Sequence, residues 1–353
     1  MKDSQKILNM YFATHKTCNL NCTYCYIPES YKKIPRPSDA DIISSLMEFI
    51  IKVESEGWRI GKFCLHGAEP TLLEPESLAE IVHVMNNHWN KYGCKNKVAI
   101  QSNGIRLDRE YLKRLLLLLD GKPDIKLGFS IDPPKAIHDK YRNNSFDKVE
   151  QNLFAARELG FFTSILSVIT KDTLLHLNDF ADWLKKESEK MIKNKNPYKI
   201  KVKFATGAES PDENDMLVLA DFFVDNDLAG LLQALSPGYC IQSGNECLWF
   251  EFDAEGNCYS CNKKYFGDGI FADWQNESFG EIYEKRIGLY NSAPVHIECG
   301  SCEFEYICNS GCPADRQTIG DNAGKAHDCI LIKRIIGVLS RNNINIIDFI
   351  NNN

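Results

Sequence analysis

The chain has 353 residues, of which 44% are hydrophobic and 25% are charged, and these proportions are typical of a globular protein. Its 41 basic and 48 acidic side chains give a net charge of −7, which argues against nucleic acid or an anionic membrane as a partner. No apolar run approaches the length of a membrane span, and the N-terminus lacks a signal-peptide pattern, so we expect a cytoplasmic protein. Disulfides are rare in that compartment, so metal ligation is the leading explanation for the 14 cysteines.

Strand-like and helix-like segments alternate through residues 1–235. The predicted strands are Ile7–Thr14, Ile60–His66, Lys97–Ser102, Ile125–Ile131, Phe162–Ile169 and Ile200–Phe204. The predicted helices are 38–56, 76–91, 108–119, 146–159, 173–191 and 213–235. Such an alternation predicts parallel strands joined by right-handed crossovers. The predicted fold class is therefore α/β, with a partial (β/α)6 barrel related to the eightfold TIM barrel.

The composition and periodicity of the sequence change after residue 235. Turn residues become dense, long periodic helices disappear, and 9 of the 14 cysteines lie between Cys240 and Cys329. A final helix rich in Ile and Leu is predicted near 329–350. We therefore expect three parts: the barrel over 1–235, a small cysteine-rich domain over 236–335, and a C-terminal helix and tail over 336–353.

Four unusual short sequences follow successive predicted strands. They are "CNLNCTYCY" after the first strand, "HGAEP" after the second, "QSNG" after the third and "SID" after the fourth. In a parallel barrel the C-terminal ends of the strands lie on one rim, where the chemistry of such folds takes place. The predicted active site is therefore this rim.

The first of these sequences places three cysteines in a C-x3-C-x2-C pattern, at Cys18, Cys22 and Cys25. Three thiolates suit one face of a [4Fe–4S] cluster and leave the fourth iron open. The alternative is a zinc site that His15 completes. Tyr24 offers a flat side chain near the open iron.

Together the four sequences resemble the motifs of radical S-adenosylmethionine (SAM) enzymes, and the resemblance extends over nearly the whole chain. It implies that the open iron binds the amino and carboxylate groups of SAM. An electron from the cluster then splits the sulfonium C–S bond, which gives methionine and a 5′-deoxyadenosyl radical.

The same resemblance assigns SAM contacts residue by residue. "GAEP" is similar to the family's Gly-Gly-Glu-Pro, with Ala68 at the second glycine, and implies that Glu69 accepts a hydrogen bond from the SAM ammonium. "HDKYR" places Arg142 where relatives hold the SAM carboxylate. "QSNG" and "GFSID" imply contacts to ribose or carboxylate oxygens. The full implied set is Tyr24, Gly67, Ala68, Glu69, Ser102, Asn103, Ser130, Asp132 and Arg142.

The later cysteines resemble the SPASM extension of radical SAM enzymes, which carries two auxiliary [4Fe–4S] clusters. The resemblance implies three clusters in the chain, and the alternative for this region is a pair of zinc ribbons. It assigns Cys240, Cys261 and Cys312 to the first auxiliary cluster, with Cys247 where some relatives supply a fourth ligand. It assigns the second auxiliary cluster to Cys299, Cys302, Cys308 and Cys329.

Three cysteines are not expected to bind metal. Cys64 and Cys94 have no partners at ligand spacing, and Cys64 is predicted to be a buried apolar residue on a strand. Cys258 forms a C-x2-C with Cys261, but the spacing from Gly256 favours Cys261 as the ligand.

The predicted function is radical-based oxidation of a peptide, most simply a cross-link in a ribosomally made precursor (RiPP maturation). The alternatives are an anaerobic sulfatase-maturing enzyme, which makes formylglycine from Cys or Ser, and an iron–sulfur electron carrier without SAM chemistry. The expected partners are the peptide or protein substrate and an external electron donor such as flavodoxin or ferredoxin. Because only seventeen residues precede Cys18, a separate leader-binding protein is a further candidate partner.

No catalytic residue is assigned from the sequence. In sulfatase-maturing relatives, an aspartate follows the cysteine that matches Cys261 and serves as the base, whereas this chain has Asn262. A carboxamide cannot take a proton from the substrate. Glu303, Glu305 and Asp253 are substitutes that the sequence cannot place, so we expect no formylglycine formation on a sulfatase-type peptide.

Overall fold

The computed structural model describes residues 6–193, 200–232, 235, 249–261, 269–314, 316, 323–326, 328–342 and 344. Three residues with predicted roles, Cys240, Cys247 and Asn262, lie outside the described residues.

The first six strands form a parallel sheet, and the chain crosses over by a helical segment between neighbours. The strands are β1 (Lys6–Ala13), β2 (Trp58–His66), β3 (Val98–Ser102), β4 (Ile125–Ser130), β5 (Phe162–Ile169) and β6 (Ile200–Phe204). They lie in sequential order across the sheet, as the strands of a β/α barrel do. The predicted partial barrel is confirmed, and strand limits differ from prediction by at most two residues.

Eleven α-helices lie within the described residues. They are α1 (Glu29–Lys32), α2 (Asp39–Ser55), α3 (Pro75–Lys91), α4 (Arg109–Leu118), α5 (Lys135–Tyr141), α6 (Phe146–Glu158), α7 (Leu177–Lys193), α8 (Glu213–Asp225), α9 (Phe279–Asn291), α10 (Glu305–Cys308) and α11 (Cys329–Arg341). Local signals start several of them. Ser38 and Asp41 form a capping box at α2, and the Asp108 side chain accepts a hydrogen bond from Tyr111 N at α4.

Three further strands extend the sheet beyond β1. They are β7 (Trp249–Asp253), β8 (Asn257–Tyr259) and β9 (Ile270–Asp273). β7 pairs parallel with β1, whereas β8 and β9 pair antiparallel, so the order is β6-β5-β4-β3-β2-β1-β7-β8-β9. The sequence analysis predicted none of these strands. The division into 1–235, 236–335 and 336–353 stays a prediction.

The expectation that long helices disappear after residue 235 is wrong. Helix α9 spans 13 residues and starts with a capping box of Ser278 and Glu281. Its buried face includes the charged Arg286, which donates hydrogen bonds to Ser260 O and Trp249 O. A charged residue on the buried face interrupts the apolar periodicity by which helices are predicted.

The two faces of the sheet differ in character. The outer face packs apolar side chains such as Met10, Phe12 and Phe252 against the helices. Helix α11 packs on α8, where Arg334 makes two hydrogen bonds to Asp221 at 2.7 and 2.9 Å. The inner face carries polar side chains near the strand ends, so the site lies inside the partial barrel. Within the described ranges, no helix is both long and apolar enough to cross a membrane.

Candidate active site at the strand ends

Three thiols lie on the loop that follows β1. Cys18, Cys22 and Cys25 are each partly exposed. Leu20 N lies 3.4 Å from Cys18 Sγ, and Cys25 N donates to Cys22 O at 3.1 Å, which turns the loop tightly. The charge of Cys22 acts on Cys18 and the charge of Cys25 acts on Cys22, so the loop holds the three partly exposed thiols as neighbours.

Two side chains from elsewhere in the barrel, one after β3 and one after α5, reach these sulfurs. Asn103 Nδ2 lies 3.8 Å from Cys18 Sγ, and Arg142 Nη1 lies 3.9 Å from Cys22 Sγ. Burial raises the pKa of Cys18 to about 11 and raises the pKa of Cys22, so both thiols are protonated without metal. A bound metal deprotonates such thiols, and N–H donors then stabilise the thiolates.

The arrangement suits a cluster better than a single ion. Among the residues that the structure describes, no three His, Cys, Asp or Glu side chains converge on a point as ligands of one metal ion would. The thiolates of a cubane bind different irons, so they need not converge. His15 is buried, and burial lowers its pKa to about 4. Because no described group of three such side chains contains His15, the zinc alternative with His15 as its fourth ligand gains no support.

Gly67 brings the end of β2 against this loop. Its φ is +104°, and a Cβ at this position would lie 2.9 Å from the His15 carbonyl oxygen. Ala68 N donates a hydrogen bond to the same carbonyl at 3.3 Å. Glycine is therefore required where the two segments meet, whereas an alanine fits at the next position.

Glu69 is buried and held by four hydrogen bonds. Its Oε1 accepts from Thr71 N, Thr71 Oγ1 and Ser102 Oγ at 3.1, 2.6 and 2.8 Å. Its Oε2 accepts from Asn103 N at 2.7 Å. Burial raises the pKa of Glu69, whereas these bonds lower it. Oε2 keeps a lone pair for a further donor.

A second buried carboxylate, Asp132, lies at the end of β4. Its Oδ2 accepts from Arg142 Nε at 2.6 Å and from the Tyr24 hydroxyl, and its Oδ1 accepts from Val168 N at 2.8 Å. The Arg142 guanidinium also lies 5.3 Å from the centre of the Tyr24 ring. Arg142 thus connects Asp132 to Cys22, and one edge of its guanidinium is already occupied.

The sequence analysis missed His138, which supports this group from α5. Its Nδ1 accepts from Asp132 N at 3.2 Å, and its Nε2 lies 2.9 Å from Ser145 Oγ. Burial lowers the pKa of His138 to about 4, so the ring is neutral with its proton on Nε2.

The structure therefore brings most of the predicted SAM contacts into two connected groups. One joins Glu69, Ser102 and Asn103, and the other joins Tyr24, Asp132 and Arg142. Ser130 belongs to neither group, and it accepts a hydrogen bond from Gln101 Nε2 at 3.1 Å. The first group lies at the ends of β2 and β3, and the second joins the thiol loop to the end of β4 and the end of α5.

A separate cavity lies in the C-terminal part of the chain. Its lining includes all four cysteines assigned to the second auxiliary cluster, Cys299, Cys302, Cys308 and Cys329. His296, Lys325 and Lys333 also line it. Cations beside thiolates offset the negative charge of a thiolate-bound cluster.

The remaining cysteines differ in their surroundings. Cys261 and Cys312, assigned to the first auxiliary cluster, are both buried, whereas their assigned partners are outside the described residues. Cys258 lies in the hydrophobic core, and Cys94 Sγ accepts from Arg59 Nη1 at 3.2 Å. Cys64 is on a strand as predicted, but it is only partly buried and lies outside the apolar core.

The three proposed substitute bases have other partners or lie elsewhere. Asp253 accepts hydrogen bonds from Asn257, from the Tyr259 hydroxyl and from Glu255 N. Glu305 lines the C-terminal cavity and accepts from Ser310 Oγ, and Glu303 is close to that cavity in sequence. The structure instead reveals a buried acid that the sequence analysis missed, Glu251 on β7, with His66 Nδ1 3.4 Å from its Oε1. A single acidic residue between two aromatic residues, in "WFEFD", was the available signal.

Comparison with known families identifies the class of the barrel. Residues 13–184 match the radical SAM superfamily, and this part of the chain is a radical SAM domain. The match begins at the end of β1 and includes the thiol loop, Glu69, Asp132 and Arg142.

Individual relatives extend over more of the chain. A cysteine-type anaerobic sulfatase-maturating enzyme of Clostridium novyi is 24% identical over 85% of this chain and 86% of its own length. A serine-type anaerobic sulfatase-maturating enzyme of Bacteroides thetaiotaomicron is 23% identical over 85% of this chain and 80% of its own.

Solved structures share the fold. Native anSMEcpe with bound AdoMet superimposes with a TM-score of 0.76 at 22% identity, and the match covers 98% of this chain and 99% of that one. Streptococcus suis SuiB bound to the precursor peptide SuiA has a TM-score of 0.62 at 12% identity, over 93% of this chain and 76% of SuiB.

Proposed function

We propose that this protein is a radical SAM enzyme that oxidises a side chain of a peptide or protein. The observation that carries the proposal is the meeting of three thiols with two polar side chains, Asn103 after β3 and Arg142 after α5, inside a radical SAM domain. The relatives described as sulfatase-maturating, and a SuiB structure with a precursor peptide, support a peptide or protein as the substrate class.

In this proposal Cys18, Cys22 and Cys25 hold a [4Fe–4S] cluster whose open iron binds SAM. When bound, the cluster supplies the electron that splits SAM into methionine and a 5′-deoxyadenosyl radical. Asn103 and Arg142 donate hydrogen bonds towards the thiolates of Cys18 and Cys22. Glu69 offers the remaining lone pair of Oε2 to the SAM ammonium, and its four hydrogen bonds orient it for this contact.

Two auxiliary [4Fe–4S] clusters belong to the proposal. Cys299, Cys302, Cys308 and Cys329, which line one cavity, would hold one of them. Cys240, Cys261 and Cys312 would hold the other, with Cys247 as a fourth ligand. Such clusters supply an acceptor for the second electron that a two-electron oxidation of the substrate releases.

The SAM site has a direct test. Replacing Cys18, Cys22 and Cys25 with Ala should abolish 5′-deoxyadenosine formation in the reduced, anaerobically reconstituted enzyme. It should also leave about eight irons per chain, since each remaining cubane carries roughly four. Iron analysis and chromatography of the SAM products measure both. A triple variant that still cleaves SAM would show that the site is misassigned.

The bond that the enzyme forms has two candidates. Cross-linking of a ribosomally made peptide is the first, because Asn262 stands where sulfatase-maturing relatives carry their base. Formylglycine formation from Cys or Ser is the second, and the two sulfatase-maturating relatives favour it.

A pair of incubations separates the candidates. Reduced enzyme and SAM are given a sulfatase-type Cys or Ser peptide, and aldehyde is trapped with a hydrazide. In parallel, the enzyme is co-expressed with small peptides encoded beside its gene, and mass spectrometry detects the loss of two hydrogens. Aldehyde would assign formylglycine formation, and loss of two hydrogens in a peptide that does not react with the hydrazide would assign cross-linking. The proposed electron donor is a flavodoxin or ferredoxin, and the proposed location is the cytoplasm.

A further inference from the structure

Glu251 is a fully buried carboxylate with weak hydrogen-bond support from the residues that the structure describes. Its residue exposure is 0%, and neither oxygen has a hydrogen bond of ordinary geometry to any described residue. The basic side chain that faces it is His66, whose Nδ1 lies 3.4 Å from Oε1, slightly longer than an ordinary hydrogen bond. A buried acid in this condition is costly, so it needs an explanation beyond packing.

The strand geometry directs Glu251 into the barrel. Side chains alternate along a strand, and the neighbouring Phe250 and Phe252 pack in the apolar core on the outer face. Glu251 therefore faces inward. β1 pairs Tyr11 with both Glu251 and Cys64, and the His66 ring packs edge-on against Tyr11 at 5.4 Å.

Glu251 also lies near the two regions that the proposed chemistry needs. β8 pairs Tyr259 with Glu251, and Cys25 of the thiol loop packs against the buried cluster that contains Tyr259. The strand partner of Glu251 is thus beside the thiol loop, and it lies two residues before Cys261, an assigned auxiliary-cluster ligand. A substrate that gives a hydrogen atom at the first region and an electron at the second must lie in this space.

We propose that Glu251, positioned by His66, accepts the proton that the substrate side chain loses during its oxidation. This inference rests on the proposed function. The substrate carbon first gives a hydrogen atom to the 5′-deoxyadenosyl radical, which becomes 5′-deoxyadenosine. The resulting carbon radical then gives one electron to an oxidised iron–sulfur cluster and one proton to the Glu251 carboxylate. The electrons left on the substrate form the new bond, a double bond to sulfur or oxygen or a cross-link.

Two features suit Glu251 to this role. Burial raises its pKa, whereas His66 lowers it, so the carboxylate is a stronger base than an exposed one. With Glu251 as the base, the reaction does not require an acidic residue after Cys261. Asn262 is then no longer an argument against formylglycine formation. His66 is a positioning residue here, because it touches Glu251 and is not assigned to the reacting atoms.

The test separates hydrogen abstraction from proton removal. Reduced holoenzyme and SAM are incubated with a sulfatase-type peptide that carries a β-deuterated Cys, and with any peptide found to be modified on co-expression. Glu251→Gln should still transfer deuterium to 5′-deoxyadenosine, whereas its yield of oxidised peptide should fall about a hundredfold or more. Glu251→Asp should recover part of that yield. His66→Gln should lower the yield less, and Glu284→Gln, on the exposed face of α9, should behave as wild type.

Each other result overturns the inference. Glu251→Gln with a wild-type ratio of oxidised peptide to 5′-deoxyadenosine would mean that another group takes the proton. Loss of deuterium transfer in that variant, with iron content and SAM cleavage intact, would make Glu251 a substrate-binding residue instead. Wild-type enzyme that forms 5′-deoxyadenosine but modifies none of the peptides would remove the proposed function, and this inference with it.

Discussion

At the scale of single residues, the motifs placed side chains correctly on the rim but did not give their partners. Glu69, Ser102 and Asn103 were predicted as separate contacts to SAM. In the structure Ser102 and Asn103 each donate a hydrogen bond to Glu69, which the motifs did not predict. Hydrogen-bond partners from different strands depend on three-dimensional proximity, which a linear motif does not encode. For the same reason His66 and Glu251, 185 positions apart, could not be paired from the sequence.

Glu69→Gln tests this residue-level arrangement. The amide can replace only one carboxylate oxygen as an acceptor, so either the Asn103 N–H or the Thr71 and Ser102 donors lose their partner. An unsatisfied buried donor costs about 1–3 kcal/mol. We expect the free energy of unfolding to fall by that amount and SAM affinity to weaken about tenfold to a hundredfold. Anaerobic denaturant titration and equilibrium dialysis with labelled SAM measure the two effects.

The control is Glu74→Gln, because the Glu74 side chain is 58% exposed and pairs with Arg106 at 3.4 Å on the surface. It should change neither quantity measurably. Equal SAM affinity in Glu69→Gln and wild type would contradict the assignment of Glu69 to the SAM site.

At the scale of elements, long periodic segments were predictable and short ones were not. Strands β1 to β6 follow apolar runs, and their helices follow periodic stretches bounded by capping residues. β8 has three residues and β9 four, too few for an alternation to stand out from a loop. Their strand state depends on pairing with β7 and with each other, which is a tertiary effect.

The contact between α8 and α11 gives a prediction at this scale. Ile335 is wholly buried on α11, whereas Asp221 and Arg334 form an ion pair with side chains 44% and 39% exposed. Ile335→Ala should lower the free energy of unfolding by about 2–5 kcal/mol, since it leaves a cavity. Asp221→Asn should lower it by about 1 kcal/mol or less, because solvent screens an exposed pair. Anaerobic urea unfolding, followed by circular dichroism, measures the free energy of unfolding of each variant. Equal losses in the two variants would contradict the prediction that the buried Ile335 contributes more than the exposed ion pair.

At the scale of the whole molecule, one sheet connects the barrel to the cysteine-rich part. β7 pairs with β1, the strand before Cys18, along Asn9 to Ala13, and β8, the strand before Cys261, pairs with the other edge of β7. The sequence showed which segments carry cysteines but not that they are neighbours. Pairing between segments more than 230 residues apart depends on the folded sheet and leaves no local signal. This juxtaposition is what places Glu251 inside the barrel.

The last prediction separates the C-terminal cavity from the SAM site. Replacing Cys302 and Cys308 with Ala removes two thiols from the lining of that cavity, far in sequence from the thiol loop. If the cavity holds a cluster, iron content should fall by about four per chain, since a cubane carries roughly four irons. SAM cleavage should persist, because Cys18, Cys22 and Cys25 are unchanged. Peptide oxidation should fall, because an electron acceptor is lost. Cys94→Ala is the matched control, since its thiol contacts Arg59 and should leave the iron content unchanged. Full iron content in the double variant, measured beside this control, would exclude the cavity as a cluster site.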